Sequence, residues 1–82
     1  MITMHYYAPV KGIVGKETEQ IDAATVKDAL SYVKTAYGKA AYKAVCASLI
    51  VVNDVSIGLY QDKKTPLHDG DVVGFLPLCG GG

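Results

Sequence analysis

The stretch that most limits the fold is DVVGFLPL, residues 71–78. As a strand it sets Val73 and Phe75 on one face and Val72 and Leu76 on the other. Both faces are apolar, and strands of that kind occupy the middle of a sheet. The rest of the 82-residue chain must therefore supply its neighbours. At this length the chain is one small domain, and it can bury roughly 60–65% of the surface that its unfolded form exposes.

Three other segments read as strands. ITMHYY alternates Ile2, Met4 and Tyr6 against Thr3, His5 and Tyr7, which is a period of two. ETEQI, from Glu17 to Ile21, would pair with it across a connection holding Pro9, Gly12 and Gly15, with room in KGIVG for one helical turn. SLIVV, from Ser48 to Val52, is β-branched and apolar, as a buried strand is. NDVSIG supplies a turn and a short edge strand around Ser56 to Leu59. Pro66 and the Asp69-Gly70 pair mark the connection into the final strand.

One helix is firmly written. TVKDALSYVKTAYG places Val26, Ala29, Leu30, Val33 and Tyr37 on a single stripe. Thr25 is a natural N-cap with Asp28 three positions on, and Gly38 suits the C-terminal stop. A helix this short is marginal alone, so it must lie on a sheet. KAAYKAVCA fits either a second short helix or an irregular run into the next strand. The element order points to an α+β two-layer domain, with one main helix on one face of a mixed four- to five-stranded sheet. The first and last strands would be central neighbours. The other sheet face must meet water or a partner.

Charge removes several function classes. Eight lysines and no arginine balance eight acidic residues, so there is no basic nucleic-acid footprint and no guanidinium fork. No apolar run approaches the roughly 20 residues of a membrane span. The start MITMHYYAPV lacks the positive region of a signal peptide. Two cysteines, Cys46 and Cys79, are too few for a disulfide scaffold and suit a reducing, cytoplasmic setting. Cys46, between Val45 and Ala47, reads as buried apolar filler. His5 and His68 have no partners at metal-ligand spacing, so no metal is expected. Asp69 and Asp71 read as turn residues, and GIVGK lacks the length and the Ser/Thr of a phosphate loop.

Taken together, VKGIVG after the first strand, the capped helix, VVND, PLHDGDVVGFLP and the final Gly81-Gly82 resemble the MoaD/ThiS-type sulfur carriers, ubiquitin-like β-grasp proteins. The resemblance spans the whole chain and is closest to the small subunit of molybdopterin synthase. Lys11-Gly12 stand where the family often has Arg-Glu, and Leu78, Cys79 and Gly80 precede the diglycine in place of the family's usual Pro-Val-Ser type. The resemblance implies a β-grasp domain over residues 1–77 and a flexible glycine tail over 78–82.

It further implies that the Gly82 carboxylate is adenylated and converted to a thiocarboxylate, whose sulfur goes to a cofactor precursor. The chemistry suits the residues. A carboxylate is a poor electrophile until adenylation gives it a leaving group, and a sulfur nucleophile can then attack. Gly80, Gly81 and Gly82 have no side chains to block a narrow channel in another enzyme. The implied partners are an ATP-using adenylating enzyme of the ubiquitin-activating type, a sulfurtransferase and the large molybdopterin synthase subunit. The carrier itself binds no cofactor and is a monomer when free. Tyr7, Ile57 and Leu76 are expected to share the uncovered sheet face, with Pro77 and Leu78 at its edge, as the partner interface. Cys79 is a possible reactive thiol, with an ordinary exposed side chain as the plainer reading. A sulfur carrier for thiamine or another pathway, a ubiquitin-like protein modifier joined through Gly82 to lysines, and a non-covalent β-grasp binding module are the alternatives.

Overall fold

The computed structural model describes residues 1–77. β1 (Ile2–Tyr6) and β5 (Val72–Leu76) run parallel, from Thr3 opposite Val72 to Tyr6 opposite Phe75. β3 (Leu49–Val52) lies antiparallel on the other side of β5, and β2 (Thr18–Ile21) antiparallel on the other side of β1. β4 (Val55–Ser56) closes the far edge against β3. The sheet order is β2-β1-β5-β3-β4, so the doubly apolar strand is the middle one of five. The first and last strands are central neighbours, as their composition requires.

The helical layer is larger than the sequence suggests. α1 (Val10–Val14) is the single turn foreseen in KGIVG. α2 (Val26–Tyr37) is the capped helix, and the Thr25 hydroxyl accepts from the Asp28 N–H at 3.2 Å. KAAYKAVCA forms a true helix, α3 (Lys39–Ala47), so two helices rather than one main helix cover the sheet. Gly38 separates them. Its N–H donates to the Lys34 carbonyl at 3.0 Å and its φ is +94°, in a region closed to ordinary L residues. α3 then buries Ala41 and Val45, one turn apart, while Tyr42, Ala44 and Cys46 pack partly against the same core. Cys46 is thus half-buried rather than enclosed.

The core lies between the helices and one sheet face. Met4, Tyr6, Val73 and Phe75 from the two central strands meet Val26, Leu30, Val33 and Val45, all fully buried. The Tyr6 and Phe75 rings stack at 5.8 Å. Each such side chain contributes roughly 1.5–3 kcal/mol on burial, which makes β5 the most costly strand to disturb. The connection into β5 is pinned to the start of α2: Leu67 N–H donates to the Ala24 carbonyl at 2.8 Å and Val26 N–H to the Thr65 carbonyl at 3.0 Å. No helix among the described residues is long and apolar enough to cross a membrane.

Candidate functional site

Strand alternation sorts the sheet into two faces. Met4, Tyr6, Val73, Phe75, Ile50 and Val52 point to the helices. Their neighbours point the other way: Thr3 and His5 on β1, Val72, Gly74 and Leu76 on β5, and Leu49 and Val51 on β3. None of these residues belongs to the buried core cluster between sheet and helices. Leu49 and Val72 are 38% and 39% exposed, which is unusual for large aliphatic residues in central strands. β5 crosses the middle of this face and hands the chain to Pro77 at its rim.

Gly74 shapes the centre. A Cβ built there would come within 3.0 Å of Val51 Cγ2 and 3.8 Å of Tyr7 Cε2. The absent side chain lets Val51 and the Tyr7 ring settle over the backbone of β5. Val51 is consequently buried although it belongs to the open face. Tyr7 also stacks on His5, with ring centroids 4.2 Å apart and planes 21° from parallel. The two are joined by a hydrogen bond of 3.2 Å between the phenol oxygen and His5 Nδ1.

Of the residues expected at the interface, Tyr7 and Leu76 lie on this face and exposed Pro77 follows at its rim. Ile57 does not. Ser56 pairs with Val51 and so takes the open side, and the chain then leaves the sheet through a 3₁₀ turn at Ile57–Leu59. Ile57 packs half-buried against the main core instead. The expected edge strand from Ser56 to Leu59 is thereby corrected to Val55–Ser56. Leu78, Cys79, Gly80, Gly81 and Gly82 lie outside the described residues.

The Asp-Gly-Asp turn is structural. Asp71 accepts from the His68 N–H at 2.9 Å and from Asn53 Nδ2 at 3.0 Å, while Asn53 Oδ1 accepts from the Val72 N–H. These bonds, the His68 N–H first, hold the Asp71 carboxyl below its ordinary value. They latch the start of β5 to the β3–β4 turn. No group of three or more His, Cys, Asp or Glu among the described residues is placed to hold a metal.

On the covered side lies a cluster that the sequence reading missed. Glu19 Oε2 accepts from the hydroxyls of Tyr6 at 2.7 Å and Tyr37 at 2.8 Å, and Oε1 from Tyr32 at 2.8 Å. Lys16 Nζ approaches Oε1 at 3.4 Å. Burial pushes the Glu19 carboxyl up, but the bonds from Tyr6, Tyr37, Tyr32 and Lys16 together hold it below its ordinary value. Tyr32 is pushed up to about 12, chiefly by its bond to Glu19. Burial, then the bond to Glu19, raises Tyr6 further. The signal was available: Glu19 is two residues from Ile21 and shares its inward phase on β2.

The family model for the ThiS family matches residues 4–82. The chain belongs to the ThiS family. It is a β-grasp protein of the ThiS/MoaD type, a family of sulfur carriers and ubiquitin-like modifiers. No curated protein matches the sequence. Solved structures agree on the fold. Small archaeal modifier protein 1 from Methanosarcina acetivorans superposes with a TM-score of 0.86 at 22% identity, over 99% of this chain and 95% of that one. A chain of the Amycolatopsis orientalis BexX/CysO complex gives 0.84 at 19% identity, over 100% of both. A chain of the complex of subunits 1 and 2 of molybdopterin-converting factor from Helicobacter pylori gives 0.72 at 27% identity, over 99% of this chain and 97% of that one. The last two relatives were solved bound to partner proteins.

Proposed function

We propose that this ThiS-family chain is the small, sulfur-carrying subunit of a molybdopterin synthase. The observation that supports this pathway is the 27% identity, along 99% of the chain, to a component of the molybdopterin-converting factor complex. The geometry supports the carrier role. The central strand β5 fixes Leu76 on an uncovered apolar face, and residues 78–82 follow as Leu-Cys-Gly-Gly-Gly.

The reaction has two stages. An ATP-using enzyme joins the Gly82 carboxylate to AMP and releases pyrophosphate. The outer sulfur of a sulfurtransferase persulfide then displaces AMP, and a second thiol cleaves the acyl disulfide so formed, which leaves a thiocarboxylate on the carrier and a disulfide on the sulfurtransferase. The loaded carrier, a cytoplasmic monomer when free, docks on the large synthase subunit through Tyr7, Leu76, Pro77 and Leu78. There its sulfur bonds to the pterin precursor as an acyl thioester, and water cleaves that ester, leaving the sulfur on the precursor and the carboxylate on Gly82. ATP is used by the activating enzyme, and the carrier supplies no nucleotide site.

Intact-mass measurement tests the reading. The carrier is incubated with ATP, a proven adenylating enzyme and a sulfur donor, then with the large subunit and the pterin precursor. One oxygen should be exchanged for sulfur in the first step and restored in the second. A folded carrier that never gains sulfur overturns the proposal. A loaded carrier that the large subunit cannot discharge, but that appears as Gly-Gly remnants on lysines, makes the chain a protein modifier instead.

A further inference from the structure

The register of β3 on β5 relates the two cysteines of the chain. The strands run antiparallel with Leu49 opposite Leu76, the last rung at the end where the chain leaves β5. Cys46 stands three residues before Leu49, and Cys79 three residues after Leu76. Both cysteines are thus counted out equally from one rung, at the same end of the sheet.

The distances close. Paired Cα atoms across an antiparallel rung lie about 4.5–5.5 Å apart, and three residues span at most about 11 Å, so Leu76 and Cys46 are separated by no more than about 16 Å. Cys46 lies in the last turn of α3, which draws it closer than an extended chain would. A disulfide accepts Cα atoms about 4.4–6.8 Å apart, so Cys79 is within reach of Cys46 while β3 and β5 stay as they are.

Cys46 is also open to approach. It is half-buried and lines an open cavity of about 710 Å³ with Leu49, Ile50 and Ile57. Leu49 belongs both to this cavity and to the rung with Leu76, so the cavity begins beside the end of β5. Lys63 and Lys64 stand on its lining against Asp62. The five residues after Pro77 are Leu-Cys-Gly-Gly-Gly, which bring an apolar side chain, a thiol and a terminal carboxylate. Those groups match an apolar wall, a thiol and a net positive rim.

We propose that Cys46 and Cys79 form a reversible disulfide that draws residues 78–82 onto this cavity and withholds Gly82. The effect on Gly82 rests on the reading that another enzyme activates it, whereas the disulfide does not. From Pro77 the chain extends up to about 17 Å to its end, but from a bonded Cys79 only about 10 Å. A terminus tethered there cannot run straight out from β5 into a narrow channel. The oxidant is a low-molecular-weight disulfide. One cysteine thiolate attacks it and expels a thiolate, and the other cysteine thiolate then attacks the mixed disulfide and expels the second. Both cysteine protons end on the expelled thiols, and the two electrons lost by the cysteines reduce the oxidant. Where thiols are kept reduced, such a bond is transient and acts as a switch.

The test incubates the full-length carrier with oxidised glutathione and digests it without reduction. A peptide linking Cys46 to Cys79 should appear, the intact chain should lose two hydrogens and stay monomeric, and it should melt higher than the reduced chain. Pyrophosphate release by the adenylating enzyme, measured without thiols, should be at least about tenfold slower with the oxidised carrier and should return on reduction. Cys46→Ser should be adenylated at the rate of the reduced parent with or without oxidised glutathione. Should Cys46→Ser fail to fold, Cys79→Ser must likewise lack the linked peptide. Glutathione adducts on separate cysteines, or dimers linked between chains, with no linked peptide within one chain, overturn the proposal. So does a linked carrier adenylated as fast as the reduced one. A reduced carrier that is never adenylated refutes the reading of Gly82 as the activated end instead, and the linked peptide still decides the disulfide.

Discussion

Replacing Glu19 by alanine should cost the fold about 3–4 kcal/mol, a large share of the stability of a small domain. The magnitude follows from the geometry. Three tyrosine hydroxyls and one ammonium end on two oxygens, and the Glu19 side chain is only 10% exposed. Hydrogen bonds to a charged acceptor contribute roughly 1.5–3 kcal/mol each, but the three are not equal. Tyr32 and Tyr37 are half-buried and can turn to water when the carboxylate goes. Tyr6 is fully buried and stacked on Phe75, so its hydroxyl is left without an acceptor. Most of the loss therefore comes from Tyr6. Glu19→Gln keeps an acceptor oxygen and should cost about 1–2 kcal/mol.

The pH dependence separates charge from packing. The folded Glu19 carboxyl is lowered from its reference value of 4.5, so the unfolded chain binds the proton more tightly. Its contribution is fully present above that reference value and is lost as pH falls through the folded value. Urea denaturation of the parent and of Glu19→Gln, at about pH 7 and again near pH 3, should therefore show a gap that narrows on acidification. A Glu19→Ala variant that loses less than about 1 kcal/mol, or a parent–Gln gap that ignores pH, would refute this account.

Three further outcomes are expected. Gly74→Ala forces a methyl to within 3.0 Å of Val51 Cγ2, so thermal denaturation should show a loss of about 1–2 kcal/mol and titration a weaker adenylating-enzyme complex. Thr25→Ala removes the hydroxyl that accepts from Asp28 N–H, and should lower unfolding free energy in urea by about 1 kcal/mol. Deleting Gly82 should abolish the sulfur adduct in intact-mass spectra and leave the melting temperature unchanged, since every described element ends by Leu76.

Where one residue pattern decided one element, the sequence was readable. DVVGFLPL could only be a central strand, and the stripe from Val26 to Tyr37, capped by Thr25, could only be a helix. α3 was harder because Gly38 reads as an end, and its nine residues carry only two fully buried positions. The phase of Ile57 depended on where β4 stopped. That is set by the chain turning away after Ser56, a tertiary event that no local alternation reveals. The open face was half legible. Tyr7 and Leu76 followed from period two, whereas the His5–Tyr7 stack depends on an empty space above Gly74, at the opposite end of the sequence. The Glu19 cluster joins β1, β2 and α2, and no window of sequence contains all of it.

The parallel pairing of β1 with β5 also bears on how the protein is made. Thr3 waits for Val72 and Tyr6 for Phe75, so the two halves of the core cannot meet until residues 72–76 have followed the first strand off the ribosome. Synthesis that stalls early yields a sheet without its middle and a nascent chain with both apolar faces bare. The strand that completes the fold is also the one that leads to the glycines. Under the proposed function, a truncated product lacks the end to be activated as well as the keystone strand, so incomplete chains would offer an activating enzyme nothing to consume.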